Sequence, residues 1–461
     1  MFSKDTWKAL GLASVLITAS CSEDDTPSAT PPNANGNTDS TAVVADTVKE
    51  TLLLNFRADG TYFEEGETLE YQYVLISDQD GKVLSLESYK QGEQKAIVIP
   101  GEFTDEKIQV TVMSTGTFSD EGKTYKGLIA ATFLDVDRGI DWQINPYPSY
   151  EEPTPTGYAS VSFENVEEES YYTGDFRMLD GHDFFHGDEI RDTLSVPIYR
   201  TPTPLMTLLD VNSEHYINMI DDAKVGENYT VDVEAMQQLT EKSLASPLAN
   251  PDYLSAGLHR VFIQPDNLDA DNTLHFGYNF GSDGNGSAII KYPGDMFPAY
   301  ESSYTVEKSN ITYNTRVKGQ IPDQFPMPNF STDVTNTSPE NFVIEAQGNF
   351  DSFVAEWEKY GDETSIYWYV IGSPNTTSFQ MPTLPDSLSI DVEGLYCDQI
   401  GFDEYDHVND HASFLQEFHE KFRDIDESSI RTEHIFYDMY DFENGRTQQR
   451  KINNPFMRRK K

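Results

Sequence analysis

Cysteine is nearly missing from this chain: among its 461 residues only Cys21 and Cys397 occur. A framework of several disulfides is therefore excluded, and ordinary hydrophobic cores have to stabilise the folded state. Apolar residues make up 38% of the sequence and aromatic residues 12%, which is enough to build such cores. The length allows roughly two to four domains.

Basic residues are also scarce. The chain has 32 Lys and Arg against 78 Asp and Glu, which gives a formal net charge of −46. A surface this negative repels phosphate backbones and anionic lipid headgroups, so the composition argues against nucleic-acid binding. The same charge favours solubility, and carboxylates in such numbers can hold divalent cations.

Long apolar runs are lacking as well. The run ALGLASVLI at residues 9–17 is shorter than the roughly 20 apolar residues that a membrane-spanning helix needs, and no second run approaches that length. Lys4 and Lys8 precede this run, and the small residues 18–20 follow it. A charged start, a short apolar middle and small residues at the end predict a secretory signal peptide over residues 1–20, which is cleaved off.

The signal peptide ends at Cys21, followed by Ser22 and the acids Glu23, Asp24 and Asp25. This stretch, ITASCSEDD, resembles the processing site of bacterial lipoproteins, although position 18 is Thr where that pattern prefers Leu. The resemblance implies that Cys21 is diacylated on sulfur, becomes the first residue and is acylated again on its amine. The acids resemble a subclass exported to the cell surface. Two or three acyl chains anchor a protein firmly, so the expected location is the outer membrane or cell surface.

Residues 21–46 carry Cys21 and a tether rich in Ser, Thr, Pro, Asn and Asp, whose composition predicts disorder. Composition shifts and strand-like runs predict six further segments: a β-sandwich domain at 47–143, a proline-rich linker at 144–157, a β-rich domain with one helix at 158–296, a polar connecting segment at 297–337, a β-rich domain with a C-terminal helix at 338–450, and a basic tail at 451–461.

Strand patterns dominate these domains. Runs such as LEYQYVLIS at 69–77 alternate in polarity with period two, and Asp80-Gly81 predicts a tight hairpin in which both residues have positive φ. The fold class is therefore mainly β, with tandem immunoglobulin-like sandwiches and a few helices. Good helix formers before Pro247 predict one helix at 231–246, and apolar residues stepping by three and four predict another at 403–425.

Two pairs of histidines are candidate metal ligands. His407 and His411 are four residues apart on the predicted helix, so both imidazoles can face one zinc ion. Val408 occupies the position of the glutamate base in zinc-protease helices, and His411 also fits a histidine at the edge of the core. His182 and His186 lie in LDGHDFFHGDE, an acidic segment that fits either a divalent metal site or a solvated turn.

Aspartate-rich loops are candidates for calcium. QPDNLDADNT contains Asp266, Asp269 and Asp271, and GSDGNGS contains Asp283. Calcium takes six to eight oxygen ligands from loops of this kind, but neither segment has the twelve-residue pattern of an EF-hand. The glycines around Asp283 fit a hairpin turn equally well. A structural calcium ion is therefore a possible cofactor, and the sequence indicates no other.

No catalytic motif is present in the sequence, and Cys397 in GLYCDQIGF is expected to be a buried structural thiol. The expected function is therefore a non-catalytic binding or scaffold protein at the cell envelope, whose partner is an envelope protein or a glycan. One alternative is a glycan-binding accessory of a polysaccharide-uptake system. For this alternative, NPYPSYEEP and IYWYVIG are candidate aromatic platforms, although aromatics that alternate in strands also fit a core. A metal-dependent hydrolase is the other alternative.

Overall fold

Period-two alternation of apolar and polar side chains is visible in several of the described strands. In the strand Tyr253–Phe262, for example, Leu254, Ala256 and Leu258 are buried, whereas Ser255 is half-buried. The structure is a computed structural model and describes these residues: 49–60, 69–120, 123–144, 153–167, 170–179, 181–212, 214–264, 273–308, 311–327, 330–348, 350–360, 364–376, 378–405, 411–415 and 433–439. The prediction of a mainly β protein is confirmed.

The largest sheet has twelve described strands in the order β18-β17-β20-β21-β28-β27-β24-β25-β6-β5-β2-β3. In chain order its strands are β2 (Leu69–Ser77), β3 (Val83–Tyr89), β5 (Lys107–Asp120), β6 (Lys123–Asp137), β17 (Tyr253–Phe262), β18 (Thr273–Phe280), β20 (Ala299–Lys308), β21 (Ile311–Gly319), β24 (Ser352–Tyr360), β25 (Thr364–Gly372), β27 (Tyr396–Tyr405) and β28 (Glu433–Met439).

Smaller sheets are formed by the remaining described strands. Three strands order as β4-β1-β7, namely β1 (Glu50–Ala58), β4 (Gln94–Pro100) and β7 (Asp141–Ile144). Five strands order as β10-β9-β12-β13-β15, namely β9 (Tyr172–Met178), β10 (Gly181–His186), β12 (Thr203–Val211), β13 (Glu214–Ala223) and β15 (Gln237–Gln238). A further sheet has the order β11-β8-β14, with β8 (Gly157–Glu164), β11 (Leu194–Ile198) and β14 (Asn228–Asp232). A two-stranded sheet pairs β16 (Thr240–Ala245) with β19 (Ser287–Tyr292). The last sheet has the order β22-β23-β26, with β22 (Phe330–Asn336), β23 (Phe342–Gly348) and β26 (Ser378–Phe379).

Helical structure is short wherever the chain is described. Short 3₁₀ turns occur at Gly187–Arg191, Val233–Ala235, Gly294–Met296 and Asp386–Leu388, and one α-helical turn covers residues 411–415. That turn lies within the predicted 403–425 helix, but residues 403–405 belong to β27. None of the helices in these ranges is long and apolar enough to cross a membrane.

The helix predicted at 231–246 is wrong. Its described residues form the end of β14, a 3₁₀ turn, β15 and β16. β16 pairs with β19 from Thr240 opposite Tyr292 to Ala245 opposite Ser287, so its backbone is hydrogen-bonded to a strand about fifty residues later. Leu244 is buried in the core that this pairing helps to cover. Long-range pairing has overridden a local preference for helix.

The tandem arrangement of domains is not confirmed. β25 from the predicted third region pairs in parallel with β6 from the first, and Trp368 Nε1 donates a buried hydrogen bond to Thr132 Oγ1 at 2.9 Å. Their side chains share two cores on opposite faces of the sheet. Trp357 and Trp368 lie in one core, while Phe133 and Ile371 lie in the other. Contacts place the described residues in one unit.

The middle of the chain adds two more cores. The five-stranded sheet carries Met206 and Leu208 on the face toward the twelve-stranded sheet, where they join Leu258 and Tyr304. Its opposite face packs Phe176 and other apolar residues against the β11-β8-β14 sheet. The five-stranded sheet is therefore a middle layer. Strand β10 is at the edge of this sheet, and β18 is at the edge of the large sheet.

The Asp80-Gly81 hairpin forms between β2 and β3, with one difference from the prediction. Gly81 has a positive φ of 78°, but no positive φ occurs at Asp80. Asp78 closes the loop instead, because its carboxylate accepts the backbone N–H of Asp80 at 3.1 Å and of Lys82 at 2.8 Å.

Candidate functional site

Five of the predicted site residues, Cys21, Asp266, Asp269, Asp271 and His407, lie outside the described residues. His182 and His186 lie on β10, opposite Arg177 and Thr173 of β9 in the strand register. Within the described ranges no group of three or more His, Cys, Asp or Glu side chains is arranged to hold a metal ion. The predicted metal ligands that lie among the described residues are therefore not brought together into one site.

Asp283 acts in a turn. Its carboxylate accepts the backbone N–H of Asn285 at 2.7 Å and of Ser287 at 3.0 Å. These hydrogen bonds stabilise the ionised form and hold the pKa of this carboxyl below its ordinary value. The turn, which is the alternative to calcium binding, therefore explains the position of Asp283.

His411 lies at the edge of a core. Its Nε2 is 3.3 Å from the carbonyl oxygen of Leu134, and its ring stacks on Phe414 at 5.8 Å between centroids. Since a carbonyl only accepts, Nε2 carries the proton. Burial lowers the pKa of His411, because the charged imidazolium loses its hydration.

Next to His411, Asp135 joins the ends of β6 and β25. It has φ of 56° at a bulge in β6, a conformation that aspartate tolerates better than most residues. Its Oδ2 accepts the hydroxyl of Ser373 at 2.7 Å and the hydroxyl of Thr376. The contact stabilises the turn after β25.

Cys397 is a buried thiol, as predicted. It is 2% exposed on β27, opposite Trp357 of β24. Burial raises its pKa well above the ordinary value, since a thiolate would lose its hydration. The aromatic run IYWYVIG is β25, where Trp368 is fully buried and Tyr369 is 5% exposed, so the core interpretation of this run is confirmed. NPYPSYEEP lies almost wholly outside the described residues.

A polar face of the twelve-stranded sheet is the candidate site. Across β18, β17, β20 and β21 the register places His275, Arg260, Glu301 and Lys318 opposite one another in one row. Residues paired directly in this way share a face of the sheet. Leu258, Tyr300 and Val306 of these strands contribute to the core on the other face.

Glu301 is the centre of this row. Its carboxylate is 3.6 Å from Arg260 Nη1 and 3.3 Å from Arg316 Nη1, and its side chain is 4% exposed. The side chain of Arg260 is 13% exposed and that of Arg316 is 29% exposed, so the arginines lead from the buried acid toward the surface.

Other hydrogen-bonding side chains adjoin the arginines. His259 occupies an extra position in β17, where the register with β20 shifts, and its Nε2 lies 2.6 Å from Ser303 Oγ. Gly257 gives room to Asn279 on the neighbouring strand, because a Cβ at Gly257 would collide with Asn279 Oδ1. One row further along β20 and β21, Thr305 donates to Asn314 Oδ1 at 2.6 Å.

We name this surface the cationic face and define it by the following residues: His259, Arg260, His275, Asn279, Glu301, Ser303, Arg316 and Lys318. With histidines neutral, three bases and one acid give it a formal charge of +2. Acids also lie beyond it on the same side of the sheet, among them Glu307 on β20 and Asp403 on β27. The row thus brings together three of the 32 basic residues of a chain whose net charge is −46.

A buried ion pair adjoins the cationic face at β18. Asp175 and Arg177 of β9 contact each other, with side chains 3% and 6% exposed. Arg177 Nη1 also donates to His275 Nδ1 at 3.3 Å, and this requires a neutral His275 with its proton on Nε2. The guanidinium carbon of Arg177 is 5.2 Å from the ring centroid of Phe184, which is 57% exposed on β10.

Burial dominates the electrostatics of this pair. It raises the pKa of Asp175 to about 7, while the charge of Arg177 and its hydrogen bond oppose the rise. Burial also lowers the pKa of Arg177 and raises that of Tyr278 to about 12. In each case the charged form is disfavoured because it loses water.

Gly277 makes the junction possible. It has φ of 72°, and it provides an extra residue in β18 relative to β17. A Cβ there would lie 2.8 Å from His275 Cε1 and 3.8 Å from Arg177 Nη2. Both the backbone conformation and the space favour glycine.

Sequence reasoning missed the cationic face. Its residues come from four strands that are spread over the sequence from His259 to Lys318. The available signal was the occurrence of Arg260 and Arg316 inside apolar strand patterns, LHRVF and NTRVK, of a base-poor chain. The sequence matches no known protein family and is similar to no curated protein.

Proposed function

We propose that this protein is a non-catalytic binding protein that a lipid on Cys21 anchors to the outside of a bacterial cell envelope. The observation that carries the location is the stretch ITASCSEDD, in which a signal-like segment ends at a cysteine followed by acids. Two or three acyl chains would hold the protein at a membrane, as the lipoprotein resemblance implies. The tether over 21–46 would separate the folded part from that membrane.

The cationic face supports binding as the activity. Its groups are hydrogen-bond donors and charges on paired strands, and elements of this kind hold side chains more firmly than loops do. Arg260 and Arg316 are oriented by Glu301, so they would lose little freedom on meeting a ligand.

The anchor is tested by Cys21→Ser. We expect the wild-type protein to partition into the detergent phase and to incorporate a palmitate analogue, and the variant to do neither. Cys397→Ser is the matched control, because its thiol is buried and should carry no lipid. A Cys21→Ser protein that still partitions with membranes would contradict the proposal.

A glycan-binding accessory of a polysaccharide-uptake system is the second candidate. One observation favours it: the cationic face combines arginine, asparagine, histidine and serine side chains, whose planar or hydroxyl groups can hydrogen-bond sugar hydroxyls. Binding on a glycan array that is lost on substitution of these residues would support it. No observation on the described residues favours the metal-dependent hydrolase.

A further inference from the structure

We infer that the outward surface of the β11-β8-β14 sheet binds a neutral oligosaccharide, with a sugar ring stacked on Tyr158 and its hydroxyls held by serine, threonine and asparagine side chains. The inference rests on the proposed binding function, names the class of ligand and adds a surface apart from the cationic face. We name this surface the neutral face and define it by the following residues: Tyr158, Ser160, Ser162, Ser195, Pro197, Asn228 and Thr230.

The strand register places these side chains on one surface. They form three rows across the sheet, namely Pro197–Tyr158, Ser195–Ser160–Asn228 and Ser162–Thr230. Residues paired directly in this way share a face. The residues that alternate with them, among them Val161, Val196 and Val231, are buried in a core on the opposite face. From Tyr158 to Ser162 the platform is about 13 Å long, at about 3.3 Å per residue.

Charge is missing from this surface. None of the seven side chains in the three rows is charged, although 24% of the residues in the chain are. Glu164 and Asp232 lie opposite each other in the next row. An anionic ligand would be repelled by these two carboxylates and by the net charge of −46, whereas the three rows offer a cation no carboxylate. The distribution of charge therefore favours a neutral ligand.

Tyr158 supplies the aromatic anchor. It is 55% exposed, and its backbone is held on both sides, because it is paired with Pro197 and its carbonyl oxygen accepts the N–H of Gly226 at 2.8 Å. A strand positions a side chain more precisely than a loop does, and tyrosine gives a large contact area at a low cost in conformational entropy. A flat ring with a polar edge suits the C–H face of a sugar.

The other two rows supply the hydrogen bonds. Ser195, Asn228 and Thr230 are exposed, and Ser160 and Ser162 are half-buried. Each hydroxyl can donate and accept, and the amide of Asn228 does both, which matches the hydroxyls of a sugar. A protein partner would instead need a larger apolar anchor than one tyrosine and one proline.

The experiment is calorimetric titration of the full-length protein in detergent with cellohexaose, xylohexaose, mannohexaose and maltohexaose. We expect at least one of these sugars to bind, with an affinity that changes less than about twofold between about 50 and about 500 mM salt, because salt screens only charges. Hexagalacturonate should bind at least about tenfold more weakly than the best neutral sugar, since its carboxylates are repelled.

Variants locate the site. Tyr158→Ala should weaken binding at least about tenfold, whereas Tyr158→Phe keeps the ring and should bind almost as the wild type does. Asn228→Ala should weaken binding about two- to tenfold, as loss of one hydrogen bond gives, and it replaces Tyr158→Ala if that variant does not fold. Tyr71→Ala is the matched control, because Tyr71 is 58% exposed on β2 of the large sheet, and it should leave binding unchanged.

Three results would overturn the inference: no binding of any of the four neutral sugars, wild-type affinity in both Tyr158→Ala and Asn228→Ala, or a dimer in sedimentation that Tyr158→Ala dissociates, since a second copy would then cover the neutral face. The proposed function fails separately, because lipid anchoring is measured by the partition of Cys21→Ser. Sugar binding that is lost in Arg316→Gln but kept in Tyr158→Ala would assign the glycan to the cationic face and disprove only this inference.

Discussion

His275 and Arg260 lie directly opposite each other on β18 and β17, and this pairing joins two charged groups of the protein. On one side His275 accepts a hydrogen bond from Arg177, the partner of the buried Asp175. On the other side Arg260 contacts Glu301, which also holds Arg316. The buried pair of the five-stranded sheet is thus linked to the cationic face of the large sheet.

Asp175 should make stability depend on pH. Its pKa is raised from 3.8 to about 7 in the folded state, so folding is favoured by proton binding below about pH 4 and this contribution is lost as pH rises through 7. The full effect is at most about 4 kcal/mol. We expect the melting temperature of Asp175→Asn to fall less between pH 5 and pH 8 than that of the wild type.

Asp105→Asn is the control for this measurement, because Asp105 is exposed and its substitution changes the net charge equally. Its melting temperature should fall between pH 5 and pH 8 by as much as that of the wild type. If the melting temperature of Asp175→Asn also falls as much as that of the wild type, Asp175 does not titrate between pH 5 and pH 8.

Glu301→Gln should destabilise the protein strongly, since two guanidinium groups would face each other without the acid between them. Removing one partner of a buried ion pair costs about 3–5 kcal/mol. Glu87→Gln, which removes an acid whose side chain is 45% exposed and lies 3.7 Å from Lys95, should cost less than about 1 kcal/mol. Urea unfolding measures both values.

Adding Arg260→Gln to Glu301→Gln should recover part of the lost stability, because it removes one of the two guanidinium charges that Glu301 contacts. Independent, additive losses in the double variant would show that Arg260 and Glu301 are not coupled.

Gly277→Ala should cost more stability than Gly284→Ala. Both glycines have positive φ, 72° and 74°, so the backbone strain is of the same kind. Only at Gly277 would the new methyl group approach a ring, 2.8 Å from His275 Cε1, while at Gly284 nothing lies within 4 Å. We expect a difference of about 1–2 kcal/mol in the free energy of unfolding, as overpacking gives. Equal losses would mean that His275 moves away freely.

Thr132→Val tests whether the first and last thirds of the chain unfold together. It removes the acceptor of Trp368 Nε1 and the partner of Thr111, both of them buried, at a cost of about 1–3 kcal/mol. We expect one calorimetric transition that shifts to lower temperature. Thr230→Val removes an exposed hydroxyl on β14 and should change the transition temperature little. A separate low-temperature transition in Thr132→Val would indicate independent domains.

Local patterns predicted the fold class but not the partners of the strands. The strand at β2 and the burial of Cys397 follow from neighbours in sequence, and both are found. The 231–246 helix failed because Leu244 is buried by pairing with β19, which no local window contains. The Asp80-Gly81 loop was placed correctly, but its geometry depends on Asp78.

The sequence alone determined that this protein is built mainly from β-strands, that it holds almost no thiols to crosslink, and that its first residues resemble a lipoprotein signal. These properties depend on composition and on neighbours within a few positions. Tertiary structure alone decided that β6 pairs with β25 and that Arg260, Glu301 and Arg316 meet. The reason is that strand pairing satisfies backbone hydrogen bonds between distant segments, and register then determines which side chains share a face.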